Sequence, residues 1–259
     1  MYTKYDAFGK TEKGNKESNQ DSHYPETYPT SSDIFIIADG ISAYPKAKLA
    51  SMEAVKQTEH KLSGFVRNQR GMPEGWLEHA IKHANSEVYK KNCKREPDGR
   101  ISAVLKLAAT TLDVALIDRG SDNLYFGHVG DSRIYVFRDG QLKQLTTDHL
   151  MKGHISCEIG GSDKLAGYEI KRVPLAGCNW IFLATDGIYK MLSEKELSNH
   201  LSSNDSPRKV LERIVRNAAS PVDVAAEHAK EYEITPEHAK IRLSGADNMT
   251  GILISRREV

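Results

Sequence analysis

Acidic residues recur at four widely separated points of this chain, each beside the end of a short apolar run. Asp39 and Asp186, for example, follow the apolar runs 34–38 and 180–184. A carboxylate at the end of a buried strand is held at the edge of a rigid core. Several such ends brought together form an all-oxygen site, which suits hard divalent cations. The pattern therefore indicates metal-assisted chemistry. The four points are Asn19-Gln20-Asp21, Asp39-Gly40, Thr185-Asp186-Gly187 and Asp247-Asn248.

Composition limits the classes of partner that this chain is expected to have. Its 259 residues are 39% hydrophobic and 27% charged, as in ordinary soluble domains, and the net charge is +1. A balanced charge provides no general field for nucleic acid, so no nucleic-acid partner is predicted. Apolar runs of about five residues are far shorter than the roughly 20 that span a bilayer, and the first residues lack a signal peptide. Three widely spaced cysteines, Cys93, Cys157 and Cys178, indicate a reduced, cytoplasmic protein without membrane association.

The remaining pattern predicts the elements that must position the carboxylates. Apolar residues at helical spacing predict helices over 47–63, from 73 to about 95, and in two pieces over 193–218. Pro97-Asp98-Gly99 predicts a turn, and Asp139-Gly140 predicts a hairpin. The middle of the chain, from residue 103 to 145, is predicted to form an antiparallel meander. The predicted strands are 33–38, 110–117, 124–129, 133–138, 141–145, 168–173, 180–184 and 251–254.

These elements predict one α+β domain over residues 1–259, with two sheets packed face to face and helices outside. Residues 150–178 contain five glycines and are predicted to form a short flap with one strand. Residues 221–246 form an unassigned helical insertion in this scheme. The tetrad Glu-His-Ala-Lys occurs there twice, which fits either a helical surface or a region that contacts another protein.

From about Gly14 to Ile254 the chain resembles the metal-dependent serine/threonine phosphatases of type 2C, the PPM family, in their bacterial form. Any one matching dipeptide is weak evidence, but several in family order, each in its strand context, are specific. Ala109 stands where the family has glycine in a Gly-Thr-Thr segment. The matching segments are Asn19–Ser22, Ile37–Gly40, Ala109–Leu112, Val129–Tyr135, Leu145–His149, Ala184–Ile188 and Asp247–Thr250.

The resemblance implies a four-layer α/β/β/α sandwich that holds two Mg²⁺ or Mn²⁺ ions at one end. Asp39 would bridge the two ions and, together with Asp186, would be essential for catalysis. Asp186 and Asp247 would ligate one ion, and the backbone carbonyl of Gly40 would ligate the other.

Two further acidic residues have weaker roles by the same resemblance. Asp21 would act through water near the ions. Asp131, with Asp186, would hold a third and weaker ion. The alternative for Asp131 is a purely structural role, in which it caps the tight turn between two strands.

The implied reaction is hydrolysis of phosphoserine and phosphothreonine monoesters in proteins. Such hydrolysis is very slow without a catalyst. Two cations lower the pKa of a water molecule and withdraw charge from the phosphoryl oxygens, so hydroxide attacks phosphorus without a protein nucleophile. The implied partners are a phosphorylated protein substrate and a cognate serine/threonine kinase.

Three departures from the family pattern bear on this function. Asp39-Gly40 is followed by Ile41-Ser42-Ala43 instead of a second pair of glycines, which alters the loop beside the ions. Lys16 stands where many relatives have a phosphate-binding arginine, and lysine keeps the charge but loses the bidentate fork. The stretch between Asp148 and Thr185 is short for the family, so the flap beside the active site is predicted to be shorter than in relatives.

These departures leave two alternatives to a protein phosphatase. One is a pseudophosphatase that keeps the fold as a binding or scaffold protein; the retained Asp21, Asp39, Asp131, Asp186 and Asp247 argue against it. The other is a phosphatase that acts on a small phosphorylated molecule, for which the sequence offers no base-stacking aromatic cluster.

Overall fold

The computed structural model describes residues 3–28, 33–68, 71–219 and 247–258. The predicted helical insertion 221–246 lies outside the described residues. In the described part of the chain, no helix is both long enough and apolar enough to cross a membrane.

The strands and helices follow one another in runs along the chain, as expected for an α+β fold. The helices are α1 (Ala47–Asn68), α2 (Pro73–Asn92), α3 (Asp186–Tyr189), α4 (Glu194–Leu201) and α5 (Pro207–Ala219). The first nine strands are β1 (Thr3–Glu12), β2 (Ser22–Tyr24), β3 (Ile34–Ala38), β4 (Cys93–Arg95), β5 (Ile101–Val104), β6 (Leu112–Asp118), β7 (Asn123–Val129), β8 (Arg133–Arg138) and β9 (Gln141–Gln144). The others are β10 (Leu150–Met151), β11 (His154–Ile155), β12 (Glu169–Pro174), β13 (Cys178–Ala184) and β14 (Met249–Glu258).

Two five-stranded antiparallel sheets form the centre of the molecule. One has the order β1-β14-β13-β8-β9, and the other has the order β12-β7-β6-β3-β2. Helices α1 and α2 cover the second sheet, and α3, α4 and α5 cover the first. A third apolar cluster fills the space between the two sheets. The four-layer sandwich predicted from the sequence is therefore confirmed.

Strand β3 shows why an unbroken apolar run can form a strand in this fold. Ile34 and Ile36 pack with the helices, whereas Phe35 and Ile37 pack between the sheets. Successive side chains of a strand point to opposite faces, so a strand covered on both faces must be apolar throughout. All four side chains are fully buried, and this anchors the carboxyl end of β3 beside Asp39.

The predicted helix from 73 to about 95 ends earlier, at Asn92. Residues 93–95 form β4, which pairs with β5 around the predicted turn at 97–99. The side chain of Asn92 is buried and donates hydrogen bonds to the carbonyls of Ala108 and Gly160, each at 2.8 Å. Because these bonds tie the end of α2 to the following loops, tertiary contacts override the local helical pattern there.

The predicted meander through the middle of the chain is wrong in its topology. β6 pairs with β7 in one sheet, and β8 pairs with β9 in the other. The link between β7 and β8 therefore crosses from sheet to sheet, and Gly130 in this link has a φ of +110°. A Cβ atom at Gly130 would lie 2.6 Å from Cγ2 of Thr111. The link therefore passes very close to the residue that precedes β6. This crossing places Asp131 at the rim of the sandwich.

The predicted flap at 150–178 contains more strand than expected. A short hairpin, β10 with β11, precedes the edge strand β12. The base of the flap is fixed to the second sheet, because Ile159 and Thr110 exchange both backbone hydrogen bonds. The flap is therefore joined directly to the threonines that neighbour Asp39 in space.

Candidate active site

Asp39 is held at the end of β3 by two threonines that precede β6. Its backbone N–H donates to Oγ1 of Thr111 at 2.9 Å, and its carbonyl accepts from Oγ1 of Thr110 at 2.7 Å. The N–H of Thr111 also donates to that carbonyl, at 2.9 Å. Three hydrogen bonds to the N–H and carbonyl of one residue fix the backbone of Asp39, while its side chain stays half-buried at the rim. The segment Thr110-Thr111 thus positions the carboxylate.

Asp21 lies just before β2 and is almost fully buried, with 1% of its surface exposed. One carboxylate oxygen, Oδ2, accepts a hydrogen bond from Oγ1 of Thr185 at 2.9 Å. The other oxygen, Oδ1, is buried and has no hydrogen-bond partner. A buried carboxylate oxygen without a donor is costly, and a cation or its water shell is a natural partner for it.

Asp131 and Asp186 face a lysine that the sequence analysis did not assign to the site. Nζ of Lys190 lies 2.7 Å from Oδ2 of Asp186 and 3.7 Å from Oδ2 of Asp131. Asp186 begins α3 and Lys190 follows that helix, so the two residues stand four apart on the same side. The hydroxyl of Tyr189 donates to the backbone carbonyl of Asp131 at 2.8 Å and holds the crossing link in place.

Asp247 pairs with Lys16 across the mouth of the site. Nζ of Lys16 lies 2.8 Å from Oδ2 of Asp247, and both side chains are more than two-fifths exposed. The adjacent Asn248 is buried and binds the loop that carries Lys16. Its Nδ2 donates to the carbonyls of Lys13 and Ser18, at 2.8 and 3.0 Å. The pair Asp247-Asn248 therefore joins the two chain segments that frame this side of the site.

The pKa values show how much negative charge is concentrated here. Burial and the charges of Asp21, Asp186 and Asp131 raise the pKa of Asp39 well above its usual range. Burial, with the charge of Asp186, raises the pKa of Asp21 and the pKa of Asp131 to about 6 each. Like charges held this close disfavour ionisation unless cations neutralise them. The arrangement is therefore complementary to positive charge.

No three acidic, histidine or cysteine side chains in the described ranges already form a compact metal-holding group. The predicted ligands Asp186 and Asp247 instead contact Lys190 and Lys16. The donor set nevertheless fits Mg²⁺ or Mn²⁺, because it consists of carboxylate oxygens and includes the unpartnered Oδ1 of Asp21.

Gly40 supports this fit through its tight surroundings. A Cβ atom there would lie 2.5 Å from the carbonyl oxygen of Ala47 and 2.8 Å from that of Gln20. Only glycine allows these backbone segments to meet beside Asp39. Its assignment as a carbonyl ligand remains a prediction.

A cleft of about 900 Å³ opens beside the acidic residues, and Asp131, Asp186 and Asp247 line it. Its charged lining residues are Lys16, Asp131, Asp186, Lys190 and Asp247, and residues of β10 and β11 in the flap also line it. The flap contributes apolar side chains, since Leu150 and Ile155 face the cleft beside Ile41. The cleft can therefore contact both an anionic group and an apolar neighbour.

Sequence reasoning found the acidic residues but missed most of those that position them. The missed residues include Thr185, Tyr189 and Lys190, which come within six residues of the end of β13. The four-residue spacing of Asp186 and Lys190 could have indicated their ion pair from the sequence. The role of Asn248 could not be seen in the sequence, because its partners lie more than 200 residues away.

The fold and the acidic rim together define a class of four-layer, phosphatase-like domains. Residues 8–229 match the family model described as Protein phosphatase 2C. The match spans well over half of the chain, and the chain belongs to this family.

Relatives and solved structures agree with this assignment. The serine/threonine phosphatase stp of Listeria monocytogenes serotype 4b is 26% identical over 247 residues, covering 86% of this chain and 84% of its own. The structure of Stp1 from Staphylococcus aureus superposes with a TM-score of 0.73 at 19% identity, covering 100% of this chain and 97% of that one. The catalytic domain of PstP, solved with 2 manganese ions, superposes with a TM-score of 0.69 at 18% identity, covering 99% and 100%.

Proposed function

We propose that this protein hydrolyses phosphoserine and phosphothreonine monoesters in proteins with the help of Mg²⁺ or Mn²⁺, and opposes a serine/threonine kinase. One observation carries the proposal. Four separate segments bring Asp21, Asp39, Asp131 and Asp186 near enough to perturb one another's ionisation beside an open cleft. The relative solved with manganese ions supports this choice of ion.

In this proposal Asp39, Asp186, Asp247 and the carbonyl of Gly40 hold two ions, and Asp21 acts on them through water. When bound, such ions lower the pKa of water and withdraw charge from phosphoryl oxygens. The third ion that the resemblance implies beside Asp131 is not part of the proposal, because the Lys190 ammonium lies there.

The chain's own residues supply orientation and charge. The two threonine hydroxyl groups fix the backbone of Asp39, so its carboxylate reorganises little when the substrate arrives. Lys16 stands at the mouth of the cleft, where its ammonium group attracts a phosphate dianion. Asp247 raises the pKa of Lys16 through a hydrogen bond, so this group stays charged at neutral pH. The apolar wall of the flap offers a surface for the residues that flank a phosphorylated side chain.

A binding protein without turnover is the second candidate, and a specific observation favours it. Lys190 and Lys16 contact two carboxylates that the phosphatase mechanism assigns to a metal. If both lysines kept those positions in the presence of divalent ions, the fold would recognise phosphoproteins without hydrolysing them.

Hydrolysis of a phosphothreonine peptide separates the two candidates. The assay compares Mn²⁺, Mg²⁺ and EDTA for the wild type, for Asp39→Asn and for the control Asp139→Asn. The control changes the same Asp-Gly dipeptide at the β8–β9 hairpin, away from the cleft. Turnover that needs the metal, is lost in Asp39→Asn and is retained in Asp139→Asn supports the phosphatase. A folded wild type that binds the peptide but releases no phosphate with either ion supports the binding protein. Hydrolysis of small phosphomonoesters alone would indicate a small-molecule substrate instead.

A further inference from the structure

The contact between Lys190 and two acidic residues has a consequence for the number of ions that the site can hold. Its ammonium nitrogen lies 2.7 Å from Asp186 and 3.7 Å from Asp131. Both carboxylates are largely buried, with 20% and 7% of their side chains exposed. One positive charge therefore lies between two negative charges that have little access to solvent.

Rigid parts of the structure hold both ends of this contact. The N–H of Lys190 donates to the carbonyl of Asp186 at 3.0 Å, which completes the turn of α3. A Cβ atom at Gly187 would lie 2.1 Å from the carbonyl oxygen of Asn248, so α3 is packed directly on the segment before β14. On the other side, the Tyr189 hydroxyl fixes the backbone of Asp131.

A divalent ion between these two carboxylates would need the same oxygens. Mg²⁺ and Ca²⁺ collect six or more oxygen ligands at roughly 2.0–2.6 Å. An ammonium nitrogen 2.7 Å from Oδ2 of Asp186 already occupies the space beside that oxygen. Its positive charge also repels a second cation at this position.

We propose that the ammonium of Lys190 takes the place of a divalent cation between Asp131 and Asp186. This inference rests on the proposed metal-dependent function and refines it. Asp131 is then a positioning residue that orients Lys190, and the metal ions lie on the side of Asp21 and Asp39. Lysine at this position restricts the ion count and leaves a fixed positive charge on the wall of the cleft.

Counting bound Mn²⁺ tests the proposal without relying on turnover. Equilibrium dialysis gives the number of ions per chain, and the electron paramagnetic resonance of free Mn²⁺ gives the affinity. The variants are Asp131→Asn, Lys190→Gln and Lys190→Arg. The control is Lys82→Gln, which breaks an exposed pair with Glu78 that has the same four-residue spacing and a similar distance of 2.6 Å.

The expected result is an ion count that Asp131→Asn leaves unchanged. Lys190→Gln binds one ion more per chain, whereas Lys190→Arg and Lys82→Gln keep the wild-type count. The proposal is overturned if Asp131→Asn loses an ion, or if Lys190→Gln folds and keeps the wild-type count. If Lys190→Gln does not fold, the number of Mn²⁺ ions bound by Asp131→Asn tests the proposal.

Phosphopeptide hydrolysis by the same samples separates this inference from the proposed function. Wild-type protein that shows the expected ion counts but no turnover refutes the phosphatase and supports the role of Lys190. Active protein in which Asp131→Asn loses an ion refutes the role of Lys190 and keeps the phosphatase. Wild-type protein that binds no Mn²⁺ refutes both.

Discussion

Thr185 donates a hydrogen bond of 2.9 Å to Asp21, although 164 residues separate them in the chain. Its hydroxyl oxygen also accepts a hydrogen bond from the N–H of Thr250 at 2.9 Å. Thr250 lies in β14 and Thr185 directly follows β13, which are neighbouring strands of one sheet, whereas Asp21 precedes β2 of the other sheet. A single buried hydroxyl group therefore connects the two sheets where the acidic residues meet.

Thr185→Val is expected to destabilise the protein, because it removes this hydroxyl at nearly constant volume. The change leaves a buried carboxylate oxygen and a buried N–H without their partner, at about 1–3 kcal/mol each. We expect the free energy of unfolding to fall by about 2–4 kcal/mol in urea titrations. Thr185→Ser keeps the hydroxyl and should stay within about 1 kcal/mol of the wild type. Equal urea midpoints for Thr185→Val and the wild type would show that the hydroxyl group does not connect the sheets.

Gly40→Ala is expected to damage the site through contacts with backbone atoms. The added Cβ would lie 2.5 Å from the carbonyl oxygen of Ala47 and 2.8 Å from that of Gln20, so the segment after Asp39 must shift. Overpacking of this kind costs about 1–3 kcal/mol, and we expect lower phosphopeptide turnover as well.

The matched control is Gly64→Ala in α1, where a Cβ would meet nothing within 4 Å. That change should raise the free energy of unfolding by about 0.5–1 kcal/mol, since alanine favours the helix. Chemical denaturation of both variants measures the contrast. Gly40→Ala protein as stable and as active as the wild type would contradict the tight packing beside Asp39.

Asn248→Ala is expected to loosen the loop that carries Lys16. The substitution removes two bonds to the carbonyls of Lys13 and Ser18, and a third in which the N–H of Gln20 donates to Oδ1 at 2.7 Å. We expect the free energy of unfolding to fall by about 1–3 kcal/mol, and the KM for a phosphopeptide to rise more than kcat falls. Asn179→Ala, on an exposed position of β13, is the control. A normal KM in Asn248→Ala would mean that the loop keeps its position without these bonds.

The sequence predicted the layers of the fold well, because apolar runs such as 34–38 and 180–184 report burial directly. It also predicted the two helical pieces of 193–218, which correspond to α4 and α5. It failed at Gly130-Asp131, where a hairpin and a crossing between sheets have the same local signature of glycine beside a polar residue. Which strand pairs with which is decided by packing at long range, and no window of residues contains that information.

The candidate site was predictable to a similar degree. The carboxylates could be proposed because each lies beside the end of an apolar run. Their ion-pair partners, Lys190 and Lys16, could not be proposed in this way. Lys190 lies within four residues of Asp186, yet its second contact, with Asp131, depends on the crossing link that the sequence analysis missed. The sequence therefore proposed the acidic residues of the candidate site, and the structure shows which of them contact a lysine ammonium group.

A buried ion pair between His128 and Asp113 makes the stability depend on pH. Both side chains are completely buried. Nδ1 of His128 lies 2.5 Å from Asp113, and Nε2 lies 3.1 Å from the carbonyl of Thr147. Both ring nitrogens therefore face oxygen atoms, an arrangement in which a doubly protonated ring donates two hydrogen bonds. Burial lowers the pKa of His128, but the charge of Asp113 and its hydrogen bond outweigh burial and raise it. Glu169 acts in the same direction, and the ring of His149 lies tilted beside that of His128, with 4.7 Å between the ring centres.

A raised pKa in the folded state means that folding binds a proton, so this contribution to stability is complete below the unfolded pKa of about 6.5. It is lost as the pH rises through the folded pKa of His128. Burial lowers the pKa of four other histidines, His23, His83, His149 and His200. Their effect on the free energy of unfolding has the opposite sign and is confined to pH values below about 6.5. We therefore expect the free energy of unfolding to fall as the pH rises above about 6.5, by up to about 1.4 kcal/mol per unit of pKa shift.

The double variant Asp113→Asn, His128→Gln removes the charges of this pair. We expect its free energy of unfolding to decrease less above pH 6.5 than that of the wild type. Urea titrations at a series of pH values measure it against the wild type. Any titration of Asp39 in the same window remains in both proteins, so the difference between the two curves isolates the buried pair. The control is His154→Gln on the exposed flap, which changes a histidine but leaves the buried pair in place. Parallel curves for the double variant and the wild type would show that the buried pair does not change its protonation on folding.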